Sequence, residues 1–243
     1  LQRWQITIED SAGRPLAVTP TGRFLQLLAN AVAEDLAPLS LLAMLKHPYA
    51  AGGVKQRDFQ QQVAQLELAV LRGARPAIPG IDGLLAAAPT AGLKAFVQQQ
   101  IAVPLAPLLA AWAAPQPTLA SMVAALAESA ELLVAEVMDS TADQPDRGQG
   151  AMRLWAGVDG KLAARLLADI EIDGRDCAIE AADLPKILQQ IFETETVHPH
   201  GSPHPRLAIL GAVAARMQSA DRLIIAGFNE GKWPPRPAAA PWM

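Results

Sequence analysis

The sequence has a single cysteine, Cys177. One cysteine excludes an internal disulfide, and a reducing compartment is expected. No apolar run reaches 18 residues without a charge or a proline, so no membrane-spanning helix is expected. The opening residues, LQRWQITIED, lack the basic-then-apolar pattern of a secretory signal. These three absences predict a cytoplasmic protein without a membrane partner. Aromatics are few, at 5% of the chain, and β-branched residues are sparse, which argues against an all-β fold. No repeat of 20–50 residues is present, which argues against a solenoid. An initiator methionine is also missing, and the chain stops at Trp242-Met243, so a piece of a longer protein is expected.

What is there is apolar and helix-forming. Hydrophobic residues make up 51% of the 243, enough to bury a core, and alanine and leucine dominate, which favours helix. The net charge is −4, whereas a freestanding nonspecific nucleic-acid binder is usually basic. The charge is unevenly spread. Residues 1–75 carry 8 basic and 6 acidic side chains, 76–196 carry 7 and 16, and 197–243 carry 5 and 2. An acidic middle between mildly basic flanks predicts a middle that faces solvent or a protein partner. Any surface toward DNA then lies in the flanks.

The patterning predicts a helical block bracketed by short strands. Trp4–Ile8 alternates as a strand does. Thr19-Pro20 opens a helix with Phe24, Leu25, Leu27, Leu28, Ala31 and Val32 at helical spacing. A second helix over 39–46 stops before Pro48. A third over 55–71 shows Phe59, Val63, Leu66 and Val70 on one side, and the proline- and glycine-rich stretch 75–92 reads as a loop. Residues 93–112 are helical in character, with Pro104 and Pro107 expected to kink or break them. Helices are also predicted over 118–138, 151–170 and 182–194, with a polar linker over 139–150. Residues 207–210 and 223–227 read as strands, the latter buried. The expected fold class is mainly α with a small β-sheet. The division expected is 1–46 and 197–243 as two parts of one domain, with 47–196 as a helical insertion.

The motifs then point to a family. Ile209-Leu210-Gly211, Arg216 and Asp221 lead into Leu223-Ile224-Ile225-Ala226-Gly227-Phe228-Asn229-Glu230-Gly231-Lys232-Trp233-Pro234. This resembles the strand and Gly-x-Asn-Glu-Gly-x-Trp-Pro loop of AddB-type subunits of the AddAB helicase–nuclease. Gly13-Arg14-Pro15-Leu16, Thr19-Pro20, Gly22-Arg23, Leu41–Pro48 and Leu154-Trp155-Ala156-Gly157 are similar to the same family, in the same order. The resemblance implies part of a degenerate RecA-like second motor domain of a superfamily 1 helicase, interrupted by a large helical insertion. It implies double-strand-break repair, with DNA and an AddA-type subunit as partners, and ATP and Mg²⁺ in the parent complex.

The departures from that pattern matter as much. An active helicase of this class carries Thr-His-x-x-Lys-Gly-x-Glu before the loop, where this chain has Ile209 to Arg216 without the hydroxyl, histidine, lysine or glutamate. A phosphate-cradling Gly-x-x-x-x-Gly-Lys-Ser/Thr is absent, and Gly157-Val158-Asp159-Gly160-Lys161 has the wrong spacing. Pro145-Asp146 and Glu230-Gly231-Lys232 match a nuclease pattern only by letters. His198, His200 and His204 lie in a proline-broken connector without a carboxylate or cysteine to complete a metal site. No catalytic, metal or cofactor residue is therefore assigned, and the expectation is a non-catalytic scaffold. The alternatives are a helical protein-interaction module without a DNA role, or a piece of an active helicase. Candidate DNA contacts are Arg14, Arg23, Lys46 and His47 on one flank and Arg206, Arg216, Asn229 and Lys232 on the other. Trp112 and Trp155 are expected as core anchors.

Overall fold

A computed structural model describes residues 9–10, 13–73, 78–136, 145–198, 208–211, 215–222, 224 and 226. The chain divides into two compact units: Leu1–Ala12 with Pro203–Met243, and Gly13–Ser202. The division therefore falls nearer both ends than the sequence suggested, at 12/13 and 202/203 rather than 46/47 and 196/197. The reason is packing. Leu16, Phe24, Leu28, Leu41 and Leu45 belong to the same buried cluster as Phe59, Leu126 and Phe192, so the first two helices cannot be separated from the helical body.

In the unit made by the two ends, strand β1 (Glu9–Asp10) runs parallel to β4 (Ala208–Ile209), with Glu9 opposite Ala208 and Asp10 opposite Ile209. Trp4–Ile8 lies outside the described residues. The buried strand expected over 223–227 is not seen where it is described: Ile224 and Ala226 are in no strand, and Ile224 is 83% exposed. A strand buried on both faces needs neighbours and covering helices, and the described ladder here is two residue pairs long.

The second unit is mainly helical. Strand β2 (Arg14–Pro15) pairs antiparallel with β3 (Thr196–Val197), and the Leu16 amide donates to the Glu195 carbonyl at 2.7 Å. Helix α1 (Pro20–Ala33) starts as its sequence dictates. The Thr19 hydroxyl accepts from the Gly22 amide at 3.2 Å, with Pro20 in the first turn. Gly22 is required there, because a Cβ would sit 2.0 Å from the Leu16 carbonyl oxygen. The helix ends in two left-handed residues, Asp35 (φ 51°) and Leu36 (φ 56°). The Leu36 amide donates to Ala31 and the Asp35 amide to Val32, the 6→1 and 5→2 bonds of a Schellman cap, and buried Leu36 supplies its hydrophobic contact.

Helix α2 (Pro38–Leu45) stops ahead of His47-Pro48, and α3 (Gln56–Leu66) runs into a π-helical turn over Glu67–Leu71. The stretch expected as a loop, 75–92, instead holds α4 (Gly80–Ala87), whose Leu84 is buried, and the start of α5 (Ala91–Phe96), whose buried Leu93 and Phe96 lie in the stretch expected to be helical. Burial of those side chains, at ~1.5–3 kcal/mol each, outweighs the local cost of glycine. Of the two prolines expected to kink or break the next helix, Pro104 falls in its first turn, after a change from π to α, and Pro107 lies inside it. A π-helical segment, Val97–Ala102, leads into α6 (Val103–Trp112), and the Leu108 amide just past Pro107 donates to the buried Ser129 hydroxyl at 3.0 Å. That bond gives a partner to a backbone donor beside the proline.

Helix α7 (Leu119–Val134) is the central post, packed against α1, α6, α8 and α9. It opens with a capping box between Thr118 and Ser121. Part of the expected polar linker is helical: α8 (Arg147–Leu154) is capped by the Asp146 carboxylate. Gly150 lets α8 approach α7, since a Cβ there would sit 1.7 Å from the Glu131 carbonyl oxygen. Helices α9 (Gly157–Asp173) and α10 (Leu184–Thr194) complete the unit, with Leu184, Leu188 and Phe192 forming the buried stripe of α10. Trp112 and Trp155 pack on the core, as expected.

Candidate nucleic-acid interface

The start of the helical unit and the α2–α3 connection bring several of the predicted flank residues near one another. Strand β2 presents Arg14, the first turns of α1 present Pro20 and Arg23, and the segment after α2 presents His47 and Tyr49. A hollow of about 330 Å³ is lined by Arg14, Val18, Pro20, Tyr49, Asp159 and Val197. Arg14 and Arg23 are exposed, and neither forms an ion pair among the described residues. Val18 is also exposed. The hollow thus combines an unpaired cation, an apolar rim and the chain's one tyrosine.

The other candidates are differently placed. Lys46 is held by Glu67, at 2.5 Å. Hydrogen bonds from Lys46, and then from Arg72, hold the Glu67 carboxyl below its ordinary value. His47 is turned into an aromatic cluster, its ring centroid 5.1 Å from Phe24 and 5.4 Å from Tyr49. Its Nδ1 accepts from the Tyr49 amide at 3.3 Å, which requires that nitrogen to be unprotonated. Burial, aided by the Arg23 charge, pushes the imidazole below its ordinary value. Arg216 is exposed in the end unit. Arg206, Asn229 and Lys232 lie outside the described residues.

A helix N-terminus beside a cation is a familiar anion site, but the start of α1 already has its carboxylate. Asp159 Oδ2 accepts from the Thr21 hydroxyl at 3.1 Å and the Thr21 amide at 3.4 Å. Among the described residues, the cations left without an ion pair beside this occupied helix start are Arg14 and Arg23, a residue type that can contact phosphate without reading sequence. Tyr49 offers a π-face of the kind on which an unstacked base can lie. Tyr49 was not among the predicted residues, although it adjoins His47-Pro48 in the stretch on which the family resemblance rests.

Of the remaining sequence patterns, Glu230-Gly231-Lys232, His200 and His204 lie outside the described residues, and two others have structural roles. Asp159, Gly160 and Lys161 lie in the first turn of α9 rather than in a phosphate loop, and the Asp146 carboxylate is occupied capping α8. Among the described residues no group of three or more His, Cys, Asp or Glu could hold a metal ion, and no helix is long and apolar enough to cross a membrane. Cys177 is exposed and free. No protein-family model, curated protein or solved structure matches this chain.

Proposed function

We propose that this chain is a non-catalytic scaffold from an AddB-type subunit of a DNA-end-processing helicase–nuclease, where its arginine-lined face guides a single strand. The observation that carries the reading is the parallel pairing of Glu9–Asp10 with Ala208–Ile209, in a unit separate from the helical body between them. Parallel ladders belong to α/β sheets with long crossovers. A helical body lodged between two paired ends is the arrangement expected of an interrupted RecA-like motor domain. The stretch from Ile209 to Arg216 lacks the hydroxyl and lysine-glycine turn that couple such a motor to nucleotide and DNA, so the role assigned is to hold a strand and not to drive it. ATP and Mg²⁺ belong to the parent complex, with the AddA-type partner supplying catalysis.

The test is fluorescence anisotropy of a labelled oligothymidylate over a range of salt concentrations. The expected result is weak binding whose affinity falls steeply with salt and drops further when Arg14 and Arg23 are replaced by glutamine. Binding indifferent to salt or to both arginines overturns the reading.

A further inference from the structure

A second concavity on the helical unit is lined by none of the residues that line the first. Between α7 and α9 runs a groove of about 380 Å³, within the volume range of sites that take small ligands or a few side chains, about 300–1,000 Å³. Its walls are small, because Ala124, Ala127, Ala164 and Ala168 face it where larger residues would have filled the space. Trp155 lines it, anchored by its indole N–H, which donates to Glu131 Oε1 at 2.7 Å. Three carboxylates line it, Glu128, Glu131 and Glu171, against one cation, Arg147. That cation is already engaged, 2.6 Å from Glu131 and 3.5 Å from Glu128. Glu131 is thereby satisfied from both sides, while Glu171 has no ion-pair partner among the described residues.

We infer that this groove is a docking site for a basic segment of a protein partner, which inserts an arginine side chain between α7 and α9. The chemistry selects that occupant. The alanine walls suit the methylene stem of a long side chain, whose charged head reaches the rim. An aromatic wall favours a guanidinium, and the planar fork pairs with carboxylates at the rim. The groove's net charge of −2, from three carboxylates and one guanidinium, repels nucleic acid. The groove residues do not form a group able to hold a metal ion. The surrounding stretch, 76–196, with 16 acidic and 7 basic side chains, adds long-range attraction for a basic partner. This inference does not depend on the DNA-guiding role, which uses other residues and the opposite charge.

The probe is a fluorescein-labelled nonapeptide of arginine, followed by anisotropy with the intact chain, together with the ¹⁵N-indole resonance of Trp155. Wild type is expected to bind and to shift that resonance. Glu128→Gln with Glu171→Gln is expected to weaken binding at least tenfold. Ala168→Leu, which fills the groove without changing charge, is expected to weaken it comparably. Both are at solvent-accessible positions, and unchanged circular dichroism confirms folding. Failure of the peptide to bind, equal binding by Ala168→Leu, or an unmoved Trp155 resonance each overturns the proposal. The last two outcomes would mean general adsorption to an acidic surface.

Discussion

The hollow beside β2 and the groove between α7 and α9 have similar volumes and opposite electrical character. In the hollow, Arg14 has no ion-pair partner among the described residues, and the one carboxylate, Asp159, is committed to Thr21. In the groove the one guanidinium is committed to Glu131, and Glu171 is left over. The formal charge of a segment sets its long-range field but does not say which charged groups remain to make contact. What matters is which side chains are already engaged within the fold. Lys46 and Arg14 count equally in the sequence, yet only Arg14 is left to meet a ligand.

The largest expected effect breaks the groove's inner bracing. Glu131→Ala removes acceptors from both Arg147 and Trp155 and is expected to lower stability by about 1.5–3 kcal/mol, the range for hydrogen bonds to charged groups. Urea denaturation reads the loss, and Glu171→Gln measured beside it should be nearly neutral. At the hollow, Arg14→Gln with Arg23→Gln is expected to leave the denaturation midpoint unchanged. The same pair should lower the salt slope of oligothymidylate binding by about 1.4, the effect of two lost phosphate contacts on a single strand. A slope that stays at the wild-type value removes the arginines from the interface.

Smaller effects distinguish engaged candidates from free ones. Because His47 is held below its ordinary value of 6.5, the unfolded chain takes up the proton first. The stability that the neutral ring contributes is fully present above that value. It declines as pH falls below about 6.5 toward the folded-state value. Denaturation midpoints from pH 8 to pH 5 should show a fall that His47→Asn, which keeps an acceptor for the Tyr49 amide, lacks. Smallest of all, Lys46→Gln is expected to leave both oligonucleotide affinity and its salt slope unaltered, since Glu67 already holds that ammonium.

Much of the helical unit is legible because its signals are local. Thr19-Pro20 and Thr118 mark helix starts that the structure keeps, and Phe24, Phe59, Val63 and Leu66 fall on buried faces as their spacing requires. The misreadings occur where tertiary contact overrides local chemistry. Residues 75–92 look like loop by composition, yet Gly80–Ala87 is helical and its Leu84 reaches the core. One local signal was available there, since the Thr90 hydroxyl caps α5 by accepting from the Leu93 amide. Pro107 is tolerated because Ser129, 22 positions later in the chain, supplies an acceptor to the neighbouring Leu108 amide, and no local window contains both. The candidate surface was legible as residue types and not as availability. The Lys46–Glu67 pair and the inward turn of His47 are contacts made only by the folded chain. The groove was the least legible feature, because four alanines spread over two helices carry no signal until those helices are packed.

The short ladder of Arg14–Pro15 against Thr196–Val197 has a consequence for the chain's handling. It places Arg14–Pro15 and Thr196–Val197, which are near the two ends of the helical unit in sequence, on neighbouring strands, and such strands lie about 4.7–4.9 Å apart. A cassette with adjoining terminals can be seated in a surface turn of a host without stretching it. Such a closed body is suited to being handled as one piece.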